Sequence, residues 1–290
     1  MQPHLSNTAQ FLGMETAYED AQVVVFGSPF DGTTSYRPGT RFAATQIRCE
    51  SDSIETYSPL LDLDIEDLSI CDAGDLVLSN GNTQKILNEI KVVADTILSH
   101  HKKPLMIGGE HLVTLPVIEA LVNYHSDFYL LHFDAHTDLR DTYHNEKLSH
   151  ATVIRRCWDI LGDGRIYQFG IRSGMKQEFD FALTHHHTYM EPFNVSSVKD
   201  VLIQLSGKKV YVTIDLDILD PSIFPGTGTP EPGGITYREL ETVFKALKES
   251  DIELIGADLV ELSPHYDTAS VSTIVACKVL RELALLLATK

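Results

Sequence analysis

The stretch DFYLLHFDAH, residues 127–136, starts as an apolar, aromatic-rich run and ends in charge. The run has the length and composition of a buried strand. Extended to residue 141 it continues TDLRD, so residues 132–141 hold two histidines, three aspartates and an arginine. Polar and charged groups next to an apolar core are costly unless paired or coordinated. The stretch therefore reads as a strand that carries a site at its carboxyl end.

The same pattern recurs along the chain. QVVVFGSP (22–29), LSICDAGD (68–75), PLMIGGEH (104–111), RIYQFGIRSG (165–174), KVYVTIDLDILD (209–220) and ELIGADLVELSP (253–264) are each apolar first and polar or glycine-rich last, and HTYMEP (187–192) is a weaker candidate. Helical spacing lies between them. Ile86, Leu87, Ile90, Val93, Ala94, Ile97 and Leu98 recur with helical period, and Asn82 stands where an N-cap belongs. Residues 112–124, 150–161, 196–206, 236–249 and 268–288 also read as helices, the last apolar on most sides. Strand and helix in alternation predict one α/β domain with a mostly parallel sheet of about eight strands, covered by helices on both faces as three α/β/α layers. In such folds ligands bind beyond the carboxyl ends of the strands, where the polar residues cluster here.

Composition narrows the partners. Lys and Arg number 23 against 41 Asp and Glu, a net charge of −18. No basic run appears, which argues against a nucleic-acid or anionic-membrane partner. No stretch is long and apolar enough for a membrane span, and MQPHLSNTAQFLG (1–13) lacks the apolar segment of a signal peptide. Cys49, Cys71, Cys157 and Cys277 are far apart and read as reduced thiols of a cytoplasmic protein.

Asp134, His136 and Asp138 are spaced i, i+2, i+4 and share one face if the chain stays extended. Asp215 and Asp217 repeat the spacing, and His111 follows Gly108-Gly109 at a third strand end. Each group alone is as readily a turn or a cap. Together the carboxylates would repel one another and some would protonate. Two divalent cations balance the charge of the four aspartates. Carboxylate with a minority of imidazole suits manganese, with zinc or nickel as alternatives. Two ions about 3.5–4 Å apart activate a shared water for hydrolysis.

At this point GGEH (108–111), DAHTD (134–138), SHAT (149–152), DLDILDPS (215–222) and ELSP (261–264) resemble the signature blocks of the ureohydrolase family, arginases and agmatinases. The matches run in order over about residues 23–265. DAHTD together with the later DxDxxDP is specific. The resemblance implies the arginase/deacetylase-like fold, residues 1–290 as one ureohydrolase domain behind an N-terminal extension at 1–20, and a trimeric or hexameric homo-oligomer. It implies two Mn2+ per chain. His111, Asp134, Asp138 and Asp215 match the ligands of one ion, and Asp134, His136, Asp215 and Asp217 those of the other. It further implies that a metal-bridging hydroxide attacks the guanidinium carbon. Asp138 and His150 match the residues that handle protons, and Glu261 the carboxylate that grips the guanidinium through parallel hydrogen bonds. Read without the resemblance, His150 is a helix-start residue and Glu261 one half of an ion pair.

Arginases typically follow DAHTD with an asparagine that holds the substrate carboxylate, and place an acidic residue after the GLR-like strand. Here Leu139-Arg140 and Ser173 stand there instead. GIRSGMKQEF (170–179), GGEH and SYRPGTRF (35–42) look like agmatinases, so a small cationic guanidino compound, agmatine, is the expected substrate. Guanidinobutyrate, guanidinopropionate, aminopropylagmatine and, less so, arginine are the alternatives. Arg140 favours a carboxylated substrate unless it is tied up in a structural pair with Asp141 or a neighbour. A single-zinc deacetylase and a non-catalytic homologue are more distant alternatives, and the filled ligand positions oppose both. HHH (185–187) reads as a helix-to-strand turn with partly solvated imidazoles, PGTGTPEPGG (225–234) as a loop at the mouth of the site and not a phosphate loop, and Trp158 as core or interface packing.

Overall fold

The computed structural model describes residues 5–6, 9–190 and 192–290. Its strands are β1 (Leu5–Ser6), β2 (Val23–Gly27), β3 (Tyr57–Ser58), β4 (Leu63–Asp64), β5 (Ile70–Leu76), β6 (Lys103–Ile107), β7 (Phe128–Phe133), β8 (Ile166–Ile171), β9 (His187–Met190), β10 (Lys209–Asp215) and β11 (Glu253–Val260). Its helices are α1 (Ala43–Glu50), α2 (Thr83–Ser99), α3 (Thr114–Leu121), α4 (Val153–Leu161), α5 (Lys176–His185), α6 (Val195–Gln204), α7 (Tyr237–Glu249) and α8 (Val271–Thr289). Nine strands form one sheet in the order β1-β5-β2-β6-β11-β10-β7-β8-β9, while β3 and β4 pair separately. Every pairing in the large sheet is parallel except that of β1 with β5. All eight expected strands are present, HTYMEP included.

Strand side chains point alternately to two cores. Val23, Val25, Leu131, Phe133, Val210, Val212 and Ile214 enter one, shared with residues of α1, α6, α7 and α8. Val24, Phe26, Phe128, Leu130 and Tyr211 enter the other, shared with residues of α2, α3 and α4. Three layers follow. Each fully buried Leu, Ile, Val or Phe stabilises the fold by about 1.5–3 kcal/mol, which explains the near-continuous apolar runs of strands covered on both faces. Phe11 and Met14, ahead of β2, are buried in the first core. Asn82 caps α2 as expected, its Oδ1 accepting the Lys85 N–H at 2.9 Å.

Helices α1 and α5 had no counterpart in the periodicity. α5 buries only Glu178 and Ala182, too little to leave a stripe. His185 ends α5 and His187 begins β9, as the turn reading required, but His186 between them is buried with no partner for either ring nitrogen. Burial pushes its pKa down to about 3, so that imidazole is neutral and unsolvated. No helix among the described residues is long and apolar enough to cross a membrane.

Candidate metal centre and substrate cleft

The four central neighbours β6, β11, β10 and β7 end side by side, and the loops leaving them bring the six expected ligands together. The route differs from the expected extended strand. β7 stops at Phe133, and the Asp134 side chain folds back so that its Oδ1 accepts the His136 N–H at 2.5 Å. Asp138 adopts a left-handed backbone with φ 52°, a conformation that aspartate tolerates better than most residues. Asp215 repeats the turn on Asp217 N–H at 2.9 Å. Short aspartate turns, not alternation along a strand, aim these groups.

His111 Nδ1 lies 3.1 Å from Asp134 Oδ2, 3.2 Å from Asp215 Oδ2 and 3.3 Å from Asp138 Oδ2. It is buried and makes no hydrogen bond to any of them. A buried imidazole nitrogen set between three carboxylate oxygens is the donor set of a hard divalent cation with one imidazole. His136 Nδ1 lies 3.0 Å from Asp217 Oδ2 and 3.4 Å from Asp134 Oδ1, a second such group. Burial and the neighbouring Asp134 charge push the Asp138 carboxyl up to about 7. Burial, then Asp217 and Asp134, push Asp215 well above the usual carboxylate range. Cations would remove this conflict.

These candidate ligands are themselves braced. His111 Nε2 is 3.0 Å from Thr213 Oγ1, which donates to Asp258 Oδ1 at 2.5 Å, and Tyr211 donates to Asp258 Oδ2 at 2.7 Å. With Nε2 as the N–H, Nδ1 keeps its lone pair for a metal. His132 Nε2 sits 2.7 Å from Asp134 Oδ2, and the Gln168 amide lies 3.1 Å from its Nδ1. The ligand atoms of His132 lie as close to those of His111 and Asp134 as a metal group requires. Its Nε2 is nevertheless committed to Asp134, whose carboxylate it orients. Thr213, Asp258 and Gln168 escaped the sequence reading, although an aspartate inside the apolar run ELIGADLV was a visible signal.

A cleft of about 270 Å³ opens onto this centre, lined by Asp138, Asp215, His150, Glu261, Arg140 and Ser35 among others. All the expected site residues are thus gathered in one place. Glu261, at φ 66°, accepts the His111 N–H on Oε1 at 2.8 Å. Burial, then the neighbouring Glu110 charge, push its pKa well up, an electrostatic demand that a bound cation meets. His150 is set between Ser35 Oγ, 3.2 Å from Nε2, and Ser149 Oγ, 3.3 Å from Nδ1, and burial lowers its pKa to about 4. Arg140 pairs with Glu178, 3.5 Å away, and stacks on Tyr143. Its sequence neighbour Asp141 pairs with Arg156 instead. The loop at 225–234 does border the site, with Thr229 donating to Asp217 Oδ2 at 3.1 Å.

Residues 21–286 match the arginase family. A curated agmatinase of Bacillus subtilis is 45% identical over 276 residues, 95% of each chain. A guanidinobutyrase of Pseudomonas aeruginosa is 33% identical over 97% of this chain and 89% of its own. A crystal structure from Clostridium difficile superposes with a TM-score of 0.92 at 54% identity, covering 94% of this chain and 99% of that one. The chain belongs to the arginase family. It is a ureohydrolase enzyme with the fold of that family.

Proposed function

We propose that the enzyme hydrolyses agmatine to putrescine and urea with two Mn2+ held by His111, Asp134, Asp138, Asp215 and, on the other side, Asp134, His136, Asp215 and Asp217. The observation that carries the metal assignment is the orphaned His111 Nδ1 among three carboxylate oxygens. Bound there, two cations would lower the pKa of a shared water toward about 7 and so supply the nucleophile. The remaining work belongs to the chain. Glu261 holds the guanidinium by charge and by its Oε2, since Oε1 is committed to the His111 amide. Asp138, which also lines the cleft, takes the hydroxyl proton of the attacking group on its carboxylate and passes it to the leaving nitrogen. His150, neutral near pH 7 and lining the same cleft, accepts a proton from solvent and relays it to the departing amine. The curated agmatinase at 45% identity supports agmatine as substrate.

A second reading, a guanidino acid, draws on Arg140, which lines the cleft, and on the guanidinobutyrase relative. Pairing of Arg140 with Glu178 offsets its charge and favours the amine. Urea release with Mn2+ from agmatine, arginine, guanidinobutyrate and guanidinopropionate decides between them. A kcat/KM highest for agmatine supports the proposal, and one highest for a guanidino acid or arginine overturns it.

A further inference from the structure

Glu110 has no part in the chemistry above, yet it is fully buried, and no ion pair holds its carboxylate directly among the described residues. Its two oxygens are both engaged by one distant loop, chiefly by Thr33, with the Thr34 backbone N–H beside it. Oε2 accepts the Thr33 N–H at 2.7 Å, and Oε1 accepts the Thr33 hydroxyl. A threonine hydroxyl has a single proton to give. With that proton turned to Glu110, the lone pairs of Oγ1 face outward, where they accept the backbone N–H of His150 at 3.1 Å. The same loop carries Ser35, whose Oγ lies 3.2 Å from His150 Nε2. His150 is thereby held at its backbone and at its ring by residues more than a hundred positions away.

The anchor of this loop is the turn after β6. Glu110 N donates to Phe30 O at 2.8 Å. On its other side the turn supplies His111, which faces the carboxylates, and the His111 N–H that positions Glu261. Glu261 N in turn donates to Gly109 O at 3.0 Å. One tetrapeptide, GGEH, thus touches the metal-facing imidazole, the guanidinium-binding carboxylate and the support of the proton-carrying histidine.

We infer that Glu110, acting through Thr33, is a positioning residue for His150, so that the GGEH turn sets where the leaving amine meets its proton donor relative to the metals and Glu261. The inference rests on the reading of His150 as that donor. It is a positioning role, because neither Glu110 nor Thr33 lines the cleft.

The test is a double-mutant cycle in the manganese-loaded enzyme, using whichever guanidino compound the wild type turns over fastest. Thr33→Val keeps the shape and removes the hydroxyl, Thr33→Ser keeps the hydroxyl, and Glu110→Gln removes one acceptor. Thr33→Val is expected to lower kcat at least tenfold, with KM and bound metal within twofold of wild type. Thr33→Ser should stay within twofold of wild type, and Glu110→Gln should fall in the same direction as Thr33→Val. In the His150→Asn background, Thr33→Val should cost no more than a further twofold. An equal loss in both backgrounds, or no loss in either, overturns the inference. A second arm needs no turnover. The rate at which diethylpyrocarbonate modifies His150, read by peptide mass spectrometry, should rise at least fivefold in Thr33→Val and stay at the wild-type rate in Thr33→Ser. Equal rates in all three proteins overturn the clamp. A wild type that hydrolyses no compound of the panel, or a fully active His150→Asn, would instead defeat the proposed chemistry, while the labelling arm still reads the clamp.

Discussion

Besides accepting from His132, Asp134 presents its two oxygens to two cleft-facing histidines: Oδ2 is 3.1 Å from His111 Nδ1 and Oδ1 is 3.4 Å from His136 Nδ1. One carboxylate therefore stands between both groups of donors. Removing its charge should disable both groups at once. In Asp134→Asn, bound metal is expected to fall from about two ions per chain to one or none, measured by atomic absorption after dialysis. Loss of an outer partner of a metal ligand typically costs about 10–100-fold, so kcat for urea release should drop by more than about 100-fold. Two bound ions and full turnover in this variant would refute the bridge.

The carboxylates also make metal binding a matter of pH. Asp138 is raised to about 7 and Asp215 is raised well above its ordinary value. Between roughly pH 4 and 7 the folded state thus holds protons on these groups that the unfolded state has released. A raised folded pKa contributes stability at low pH that is lost as pH climbs through the folded pKa. The metal-free protein should lose thermal stability from pH 5 to pH 8 on this account. Divalent cations compete with the same protons, so the gain in Tm on adding Mn2+ should increase over that range and reach about 5 °C or more at saturation near pH 8. Scanning calorimetry with and without metal reads this directly, and a gain that is larger at pH 5 would contradict it.

His150 is held by Thr33, Ser35 and Ser149 and makes no hydrogen bond to any of the six proposed metal ligands among the described residues. His150→Asn should leave metal content unchanged. General acid–base groups contribute about 10²–10⁴-fold, and the loss here should fall in that range, in kcat and not in KM. Steady-state kinetics together with metal analysis on the same sample checks both halves.

How much of this was legible from residues alone depended on distance along the chain. Buried strands such as FYLLHF announce themselves because a parallel strand covered on both faces must be apolar throughout. The ligands showed because charge after such a run needs a reason. Their geometry did not show, because the turns at Asp134 and Asp215 and the left-handed Asp138 are local backbone choices that a two-residue period cannot express. Helix α1 buries four of its eight residues, and α5 two of ten. The buried face of α1 is two alanines, one isoleucine and an arginine, and that of α5 a glutamate and an alanine, so neither reads as an apolar stripe. The pairings of His111 with Thr213, Thr213 with Asp258 and Glu110 with Thr33 depend on strand register and loop docking between distant segments. Periodicity carries no information about either.

Arg140 tests the substrate. Its pairing with Glu178 leaves it one-third exposed at its side chain beside the cleft. A guanidino acid would use that charge, whereas agmatine has no use for it. Arg140→Met should change kcat/KM for agmatine less than threefold, while any activity on guanidinobutyrate should fall about tenfold, the factor that 1.4 kcal/mol represents. The opposite pattern, with agmatine turnover lost and guanidinobutyrate turnover kept, would show that Arg140 serves the cleft in some way other than by charge.

The turn that carries Glu110 and His111 leaves no room at Gly109. A Cβ there would lie 1.8 Å from the carbonyl oxygen of Phe30 and 2.8 Å from its nitrogen, both backbone atoms. A flexible side chain could swing away, but these atoms cannot move without shifting the loop that holds Thr33 and Ser35. Gly109→Ala should therefore destabilise the protein by about 3 kcal/mol or more, lowering Tm by roughly 6 °C or more. It should also reduce kcat beyond what the fraction folded explains, because His111, Glu261 and His150 all take their places from this turn. Thermal melts and active-site metal content measured on the soluble fraction separate the two effects. A Gly109→Ala protein that melts and turns over like wild type would mean that the turn can open without cost, and the coupling between the metal side and the proton side of the cleft would then have to reside elsewhere.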